Sequence, residues 1–177
     1  MIYDCFSYWD EDLLLDLRLN ILDKFVDYFV IVEGNKTWQN NPKELRFDLD
    51  KFQKFKDKII YIPVTDLPDG VDPYLRENYQ RNSILKGLSH AKSDDTIIIS
   101  DLDEIPNPKK ISSFKSNMKY AVFKQMHFYY KLNLQSRNNP FWYGSRICCY
   151  KNLKSPQWLR NLKFKKRPFW RIDKARL

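Results

Sequence analysis

Three carboxylates follow the strongest predicted strand of the sequence, since residues 96–100 (TIIIS) are succeeded by Asp101, Asp103 and Glu104. In an extended segment, alternate residues lie on one side of the backbone, so Asp101 and Asp103 can face the same hard cation. A Mg²⁺ or Mn²⁺ ion there could bridge to a nucleotide diphosphate and neutralise the charge that grows on this leaving group. An Asp-x-Asp pattern is also common in solvated loops, so its surroundings have to decide.

Three further polar residues are candidates for catalysis or for binding a nucleotide. Glu104 could be the general base that takes a proton from an acceptor hydroxyl, or it could support the loop or bind the metal. Glu33 ends an apolar run, at a position where its carboxylate could contact the base or ribose of a nucleotide. A carboxylate that simply ends a strand, with no ligand, explains the pattern equally well. Arg81 could hold a diphosphate or the loop of Asp101; its alternative role is a salt bridge on its own helix.

Aromatic residues surround Gly144, where Trp142 and Tyr143 precede it and Arg146 follows. The C–H face of a sugar ring stacks well on an indole ring, so these three side chains could form a platform for an acceptor sugar. Core packing is the usual role of aromatic residues and stays the alternative. His90 and His127 have no companion at metal-ligand spacing and are predicted to be structural.

The elements that position these residues are predicted from hydrophobic periodicity. Strands are predicted at 2–7, 28–32, 59–64, 96–100, 120–130 and 141–150, and helices at about 11–24, 47–55 and 74–90. Strand–helix–strand order repeated along the chain implies right-handed crossovers and a mostly parallel α/β sheet flanked by helices. Ligands of such sheets bind at the carboxyl ends of the strands, which is where the carboxylates and Glu33 fall.

Composition is that of a globular protein. The 177 residues are 43% hydrophobic and 16% aromatic, enough for one domain with a core of ordinary size. No apolar run is long enough to span a membrane, and no signal peptide is present, which predicts a soluble, cytoplasmic chain. Cys5, Cys148 and Cys149 show no ligand spacing and are predicted to be reduced thiols.

The positive charge is concentrated in the C-terminal part of the chain. Residues 151–177 contain ten Lys or Arg residues and one acid, Asp173, whereas residues 1–150 contain 21 basic and 21 acidic side chains. A body of residues 1–150 and a basic extension of residues 151–177 are therefore predicted. The extension could meet an anionic substrate, a membrane surface or nucleic acid, or form a solvated face. Its many aromatic and aliphatic residues predict that part of it packs on the body.

Several segments in order along the chain carry a resemblance to a known family. They are Asp4-Cys5-Phe6, Glu11 with Leu13-Leu14 and Arg18-Leu19-Asn20, residues 26–33 (VDYFVIVE), Arg81-Asn82, residues 98–106 (IISDLDEIP) and residues 142–146 (WYGSR). Together they resemble glycosyltransferase family 17, the family of the β-1,4-mannosyl-glycoprotein β-1,4-N-acetylglucosaminyltransferases. The resemblance extends from residue 4 to about residue 146 and is much more specific than the Asp-x-Asp pattern alone.

The resemblance implies a GT-A-like fold, a UDP-sugar donor, a divalent metal and inversion at the anomeric carbon. It implies that Asp101 and Asp103 form the metal–diphosphate motif, and the family match at Arg81 favours the functional role of that arginine. The expected reaction moves a sugar, GlcNAc in the animal enzymes, to a glycan acceptor. Family members also carry a membrane anchor and a Gly-Gly-Trp-His-Phe-Ser-like C-terminal segment, neither of which is expected from this sequence.

Two other classes of function are compatible with the residues. A nucleotidyltransferase would use paired aspartates and a metal to attack phosphorus, and a non-enzymatic carbohydrate or nucleic-acid binder would use the basic extension without chemistry. Sugar release from a UDP-sugar separates the first from a glycosyltransferase. Ligand binding that persists after EDTA has removed the metal would favour the non-enzymatic binder.

Overall fold

The computed structural model describes residues 1–115, 117–131 and 133–163. Its centre is a six-stranded sheet in the order β3-β2-β1-β4-β8-β5. The strands of this sheet are β1 (Ile2–Tyr8), β2 (Tyr28–Gly34), β3 (Ile59–Val64), β4 (Thr96–Asp101), β5 (Tyr120–Val122) and β8 (Arg146–Cys149). A separate two-stranded sheet joins β6 (Gln125–Met126) to β7 (Phe141–Trp142). The predicted α/β, GT-A-like class with a mostly parallel sheet is confirmed.

The first four strands of the sheet run parallel, and β8 runs antiparallel to both β4 and β5. The register places Ser7 beside Asp101 and Tyr8 beside Glu33, so the carboxyl ends of β1, β2 and β4 lie level. The central strands are buried on both faces, which explains why they appear in the sequence as continuous apolar runs. Polar residues that follow these runs are thereby gathered at one edge.

Helices and 3₁₀ segments cover the two faces of the sheet. They are α1 (Asp12–Leu22), α2 (Pro73–Asn82), α3 (Ile84–Gly87), α4 (Pro108–Ile111) and α5 (Pro156–Arg160), with 3₁₀ segments at Leu49–Phe55 and Tyr150–Asn152. One face packs α1 through Leu15, Leu19 and Leu22 on Phe6 and Phe29. The opposite face packs α3 and α5 on β2, β4 and β8. Among the described residues, no helix is long and apolar enough to cross a bilayer.

The predicted helix over 74–90 is interrupted, and the two predicted C-terminal strands are wrong in extent. Residue 83 separates α2 from α3. Residues 120–130 leave the main sheet after β5, and residues 141–150 divide into β7 and β8 around the buried Ser145. The Ser145 hydroxyl donates to the carbonyl oxygen of Glu104 at 2.8 Å, and this long-range contact fixes the bend between β7 and β8.

The described part of the predicted basic extension packs against the sheet. Leu159 and Leu162 are buried, and the Trp158 ring meets the Tyr120 ring edge-on at a centroid distance of 5.2 Å. Residues 164–177 lie outside the described residues, so the division at residue 150 stays a prediction. All three cysteines are free and buried, and burial raises the pKa of Cys148 to about 12.

Candidate active site

A cavity of about 430 Å³ opens at the carboxyl edge of β1, β2 and β4. Its wall includes aromatic rings, cations and carboxylates: Tyr8, Trp9, Trp38, Arg76, Glu77, Arg81, Asp101 and Asp103. The edge of a parallel sheet is where α/β proteins bind ligands. The structure therefore brings Arg81, Asp101 and Asp103 to one cavity, as the sequence predicts.

A tight turn follows β4, and the assumption of an extended segment through Asp103 is wrong. The backbone N–H of Glu104 donates to the carbonyl oxygen of Asp101 at 3.1 Å. In return, the backbone N–H of Asp101 donates to Oε2 of Glu104 at 3.0 Å. The turn leaves both aspartates on the cavity wall, while Glu104 points inward and is only 6% exposed.

Arg18 of α1 holds this turn from below the sheet edge. Its guanidinium makes a two-pronged ion pair with Asp4, with Nε at 2.8 Å and Nη2 at 2.7 Å from the two carboxylate oxygens. Its Nη1 donates to the carbonyl oxygens of Asp101 and Leu102 at 2.9 and 3.0 Å. Both charged side chains are fully buried, and Phe6 lies under the guanidinium at 4.4 Å. The sequence motifs contain Asp4 and Arg18 but do not show this role.

Asp101 lies between two arginines. Arg81 donates to Oδ1 at 2.8 Å and Arg160 donates to Oδ2 at 2.7 Å. Burial alone would raise the pKa of Asp101, but the charges of Arg160 and Arg81 outweigh it and lower the pKa below its ordinary value. Asp101 is therefore ionised near neutral pH. Arg81 also pairs with Glu77 of its own helix at 2.6 Å. It therefore both holds the loop of Asp101 and makes a salt bridge on its own helix.

Glu104 lies on the other side of Arg160. The guanidinium of Arg160 donates to Oε1 at 2.6 Å, and the indole N–H of Trp142 donates to the same oxygen. Burial is the main reason that the pKa of Glu104 is raised; Arg160 opposes the shift, and the charge of Asp101 adds to it. The pKa values of Asp101 and Glu104 are thus shifted in opposite directions, and Arg160 makes an ion pair with both carboxylates.

Arg160 is a site residue that sequence reasoning missed, because it was counted only among the basic residues of the extension. It lies at the end of α5, and its Nη1 also donates to the carbonyl oxygen of Gly144 at 2.6 Å. Ser155 caps α5, and Pro156 occupies its first turn. That Ser-Pro pair is a helix-start signal which could have placed Arg160 on a helix, but not against Asp101.

The three residues predicted to form an acceptor platform separate in the structure. Trp142 is 46% exposed and lies beside Glu104. Tyr143 is half-buried against the core, and Arg146 is buried with its guanidinium on the carbonyl oxygens of Tyr143 and Gly144. Burial, aided by the charge of Arg160, lowers the pKa of Arg146 to about 10. Of these three residues, Trp142 alone presents an exposed ring at the site.

Glu33 does not reach the cavity. Its carboxylate is fully buried and accepts hydrogen bonds from the backbone N–H groups of Arg46 and Phe47, at 2.8 and 3.0 Å, and from the Tyr61 hydroxyl at 2.9 Å. Lys43 completes the set with an ion pair. These partners fix the loop after β2 to the sheet edge. A contact between Glu33 and a nucleotide stays a prediction.

The carboxylates fit the chemistry of a hard divalent cation. Asp103 is exposed on the cavity wall, and each oxygen of Asp101 keeps a lone pair beyond the one that its arginine uses. Among the described residues, no group of three or more His, Cys, Asp or Glu side chains is placed to hold a metal. One or two carboxylates completed by phosphate oxygens and water is the usual protein site of Mg²⁺.

A mostly parallel α/β sheet with an acidic, arginine-lined cavity at the carboxyl ends of its strands has the architecture of open α/β proteins, which bind ligands at that edge. The sequence model of glycosyltransferase family 17 matches residues 1–151. The chain belongs to glycosyltransferase family 17.

The chain is similar to curated members of this family over part of its length. The Homo sapiens β-1,4-mannosyl-glycoprotein 4-β-N-acetylglucosaminyltransferase is 33% identical over 104 residues, which cover 52% of this chain and 19% of that protein. The Rattus norvegicus protein of the same name gives the same identity and coverage. The match thus spans about a fifth of the length of these relatives. A solved 2-C-methyl-D-erythritol 4-phosphate cytidylyltransferase of Francisella tularensis is similar at 13% identity and a TM-score of 0.35, covering 85% of this chain and 73% of that one.

Proposed function

We propose that this chain is a metal-dependent glycosyltransferase that moves a sugar from a UDP-sugar to a hydroxyl of a glycan, with inversion at the anomeric carbon. GlcNAc, the sugar named in the relatives, is the proposed donor sugar. The main support for the proposal is the pair of carboxylates that Arg160 joins. Asp101 lines the cavity and is ionised, whereas Glu104 is buried and accepts a hydrogen bond from the exposed Trp142.

The cavity suits a nucleotide diphosphate because its cations and its carboxylates lie on one wall. Arg81 and Arg76 line it together with Asp101 and Asp103. Asp101 and Asp103 would hold Mg²⁺ or Mn²⁺, which supplies positive charge to the departing diphosphate. Arg81, which lines the cavity, would donate to phosphate oxygens in exchange for one carboxylate contact, and Arg160 adds positive charge beside Asp101. The rings of Trp9 and Trp38 give the cavity apolar surface that a nucleoside can cover.

Glu104 is the proposed general base. In an inverting transfer, the acceptor oxygen bonds to the anomeric carbon while the bond from that carbon to the diphosphate oxygen breaks, and the acceptor proton passes to a carboxylate. An acceptor hydroxyl would replace the indole N–H of Trp142 on Oε1 of Glu104. A carboxyl group with a raised pKa holds such a proton better than an ordinary glutamate does.

Thermal unfolding with a panel of UDP-sugars, with and without Mn²⁺, tests the donor part of the proposal. We expect UDP and Mn²⁺ together to stabilise the protein more than the sum of their separate effects, because the metal joins the protein to the diphosphate. A ligand at about 100 times its dissociation constant adds about 2.7 kcal/mol to the free energy of unfolding. Additive shifts would contradict a shared site. Sugar release from the UDP-sugar distinguishes transfer at carbon from attack at phosphorus.

Asp103→Asn is expected to remove the metal-dependent part of UDP binding while the protein stays folded. The change removes a charge from an exposed side chain and keeps its volume, so it leaves packing intact. Titration calorimetry with UDP in Mn²⁺ and in EDTA measures the effect. Asp57→Asn is the matched control, because Asp57 is exposed and lies before β3, at the opposite end of the sheet strands. Equal UDP affinity of the Asp103→Asn variant and the parent would exclude Asp103 as a ligand.

A further inference from the structure

We propose that the acceptor site extends from Glu104 along the hairpin of residues 125–131 and 133–142, and that it binds an oligosaccharide carrying negative charge. This inference rests on the proposed function and adds to it the class of acceptor. We call this segment the aromatic hairpin. It contains β6 and β7, and further backbone hydrogen bonds extend it: His127 N–H donates to the Pro140 carbonyl oxygen at 3.0 Å, and Tyr129 N–H to that of Leu134 at 2.9 Å.

One face of the aromatic hairpin is a row of rings. Gln125 and Trp142 are paired across the strands and so lie on the same face, as do His127 and Tyr129 two and four residues beyond Gln125. The rings are in sequence: Trp142 to His127 at a centroid distance of 5.3 Å, His127 to Tyr129 at 4.5 Å, and Tyr129 to Tyr130 at 6.2 Å. The row is therefore continuous from the active site to the end of the hairpin.

The row begins at the proposed base. The indole N–H of Trp142 donates to Glu104, so the first ring of the row and the catalytic carboxylate are already in contact. Gln125 fixes the base of the hairpin, because its amide N–H donates to the carbonyl oxygen of Ile105 at 3.0 Å and its Oε1 accepts from the backbone N–H of Ser145 at 3.4 Å. A sugar chain lying on the rings would thus have its terminal hydroxyl directed to Glu104.

The rings are exposed although aromatic side chains usually pack inside proteins. Tyr129 is 48% exposed and Tyr130 is fully exposed, with a positive φ of 61°. Contiguous exposed apolar surface with polar residues around it marks a binding site. The hairpin also carries exposed amide side chains, at Asn133, Gln135, Asn138 and Asn139. Rings that stack on sugar C–H faces, together with amides that bond sugar hydroxyls, are the contacts that an oligosaccharide needs.

The charge around the hairpin selects an anion. Residues 105–163 contain twelve Lys or Arg residues and no Asp or Glu, whereas residues 1–104 contain 13 basic and 21 acidic residues. The hairpin itself therefore carries no acidic residue, and Glu104 is the last acid along the described chain. Lys124, Lys131 and Arg137, at the start and along the hairpin, are exposed. A surface with one sign of charge attracts the opposite sign and raises its local concentration.

The same rings and lysines could meet an anionic membrane or a single-stranded nucleic acid, and two observations favour the oligosaccharide. The row of rings ends on Glu104, which a membrane surface would not need to reach. Inserting the hairpin into a bilayer would also remove its four exposed amide side chains from water, at a cost of about 1–3 kcal/mol for each one that finds no hydrogen-bond partner. A sugar chain uses the carboxylate, the rings and the amides together.

Binding of two probes of equal length tests the proposal: a heparin-derived tetrasaccharide, which is anionic, and chitotetraose, which is neutral. We expect the anionic probe to bind at least about tenfold more tightly, and its affinity to fall as ionic strength rises from about 0.01 to 1 M, where the screening length falls from about 30 to 3 Å. Tyr130→Asn removes the outermost ring and suits the positive φ, and Lys131→Glu reverses a charge. Each is expected to weaken binding of the anionic probe about tenfold.

Controls at the opposite end of the sheet strands separate this site from general effects. Phe25→Ala removes a half-exposed ring, and Lys24→Glu reverses an exposed charge, both before β2. They are expected to leave the anionic probe bound as in the parent. Equal losses in the controls, or equal and salt-independent affinity for both probes, would overturn the proposal. So would binding to phosphatidylserine vesicles or poly(U) that the hairpin variants abolish while neither tetrasaccharide binds. Mn²⁺-dependent UDP binding, measured alongside, reports separately on the proposed function.

Discussion

Glu104→Gln is expected to lower the rate of sugar transfer by about 10²–10⁴-fold, the usual contribution of a general base, and to leave UDP binding close to that of the parent. The amide keeps the volume of the side chain, and its oxygen can still accept from Trp142 and Arg160. What it loses is the ability to take a proton from the acceptor, together with the hydrogen bond that Oε2 accepts from the backbone N–H of Asp101. Steady-state transfer from a UDP-sugar and calorimetric UDP binding, measured on the same sample, give the two quantities.

The pH dependence of the parent supplies a second readout. Because the pKa of Glu104 is raised, the carboxyl group stays protonated to a higher pH than an ordinary glutamate, whose pKa is about 4.3. A base is active only when it is deprotonated, so kcat/KM should rise with pH. The apparent pKa of this rise should be higher than that of an ordinary glutamate. The residual activity of Glu104→Gln should lack this rise with pH.

Two further variants show whether the position of Glu104 matters as well as its charge. A methyl group on Gly144 would lie 1.9 Å from Oε1 of Glu104, so Gly144→Ala must displace a carboxylate that Arg160 and Trp142 hold. We expect it to lose transfer activity as Glu104→Gln does. Glu77→Gln changes another arginine-paired carboxylate in the same cavity and should retain most activity. Transfer by Glu104→Gln within about tenfold of the parent would exclude Glu104 as the base.

The sheet could be predicted from the sequence because its central strands are buried on both faces. Continuous apolar runs and alternating helices identified β1 to β4, and parallel pairing then required their carboxyl ends to meet. The cavity position of Asp101 and Asp103 followed from that rule alone, even though the local backbone is a turn and not the extended segment assumed.

The C-terminal third was predicted less well because its shape depends on contacts between distant residues. The aromatic-rich runs at 120–130 and 141–150 have strand propensity. Ser145 and Gln125, which hold the turn after β4 from 20 to 41 residues away, nevertheless bend the chain out of the sheet. Arg160 reaches Asp101 across 59 residues. Local patterns do not contain such pairings, so the arginine between the two carboxylates was not foreseen.

Glu33 shows a related limit of sequence patterns. A carboxylate at the end of a buried strand has the right position for a ligand contact, but its exposure depends on the loop that follows. Here the loop folds back and satisfies both oxygens with backbone N–H groups, Lys43 and Tyr61. The order of the strands predicts at which edge of the sheet the site lies. The conformation of the loops decides which side chains at that edge are accessible to a ligand.

Arg18→Met is expected to lower the free energy of unfolding by about 3–5 kcal/mol, because it leaves the fully buried Asp4 carboxylate without its counter-charge. Urea unfolding followed by circular dichroism measures the loss. The double variant Asp4→Leu/Arg18→Met removes both charges and should recover much of it, as replacement of a buried pair by apolar residues often does. Arg46→Met, which breaks an exposed ion pair with Asp10, is the control and should cost less than about 1 kcal/mol.

Recovery of stability should not restore activity, and this distinguishes the two roles of Arg18. Its Nη1 also donates to the carbonyl oxygens of Asp101 and Leu102, and no apolar side chain can replace those hydrogen bonds. The turn that carries Asp101, Asp103 and Glu104 would then lose its support from α1, so the double variant should melt near the parent yet bind UDP with Mn²⁺ more weakly. An unfolding free energy of Arg18→Met within about 1 kcal/mol of the parent would contradict the structural role. Full UDP affinity in a stable double variant would show that the turn holds its geometry without Arg18.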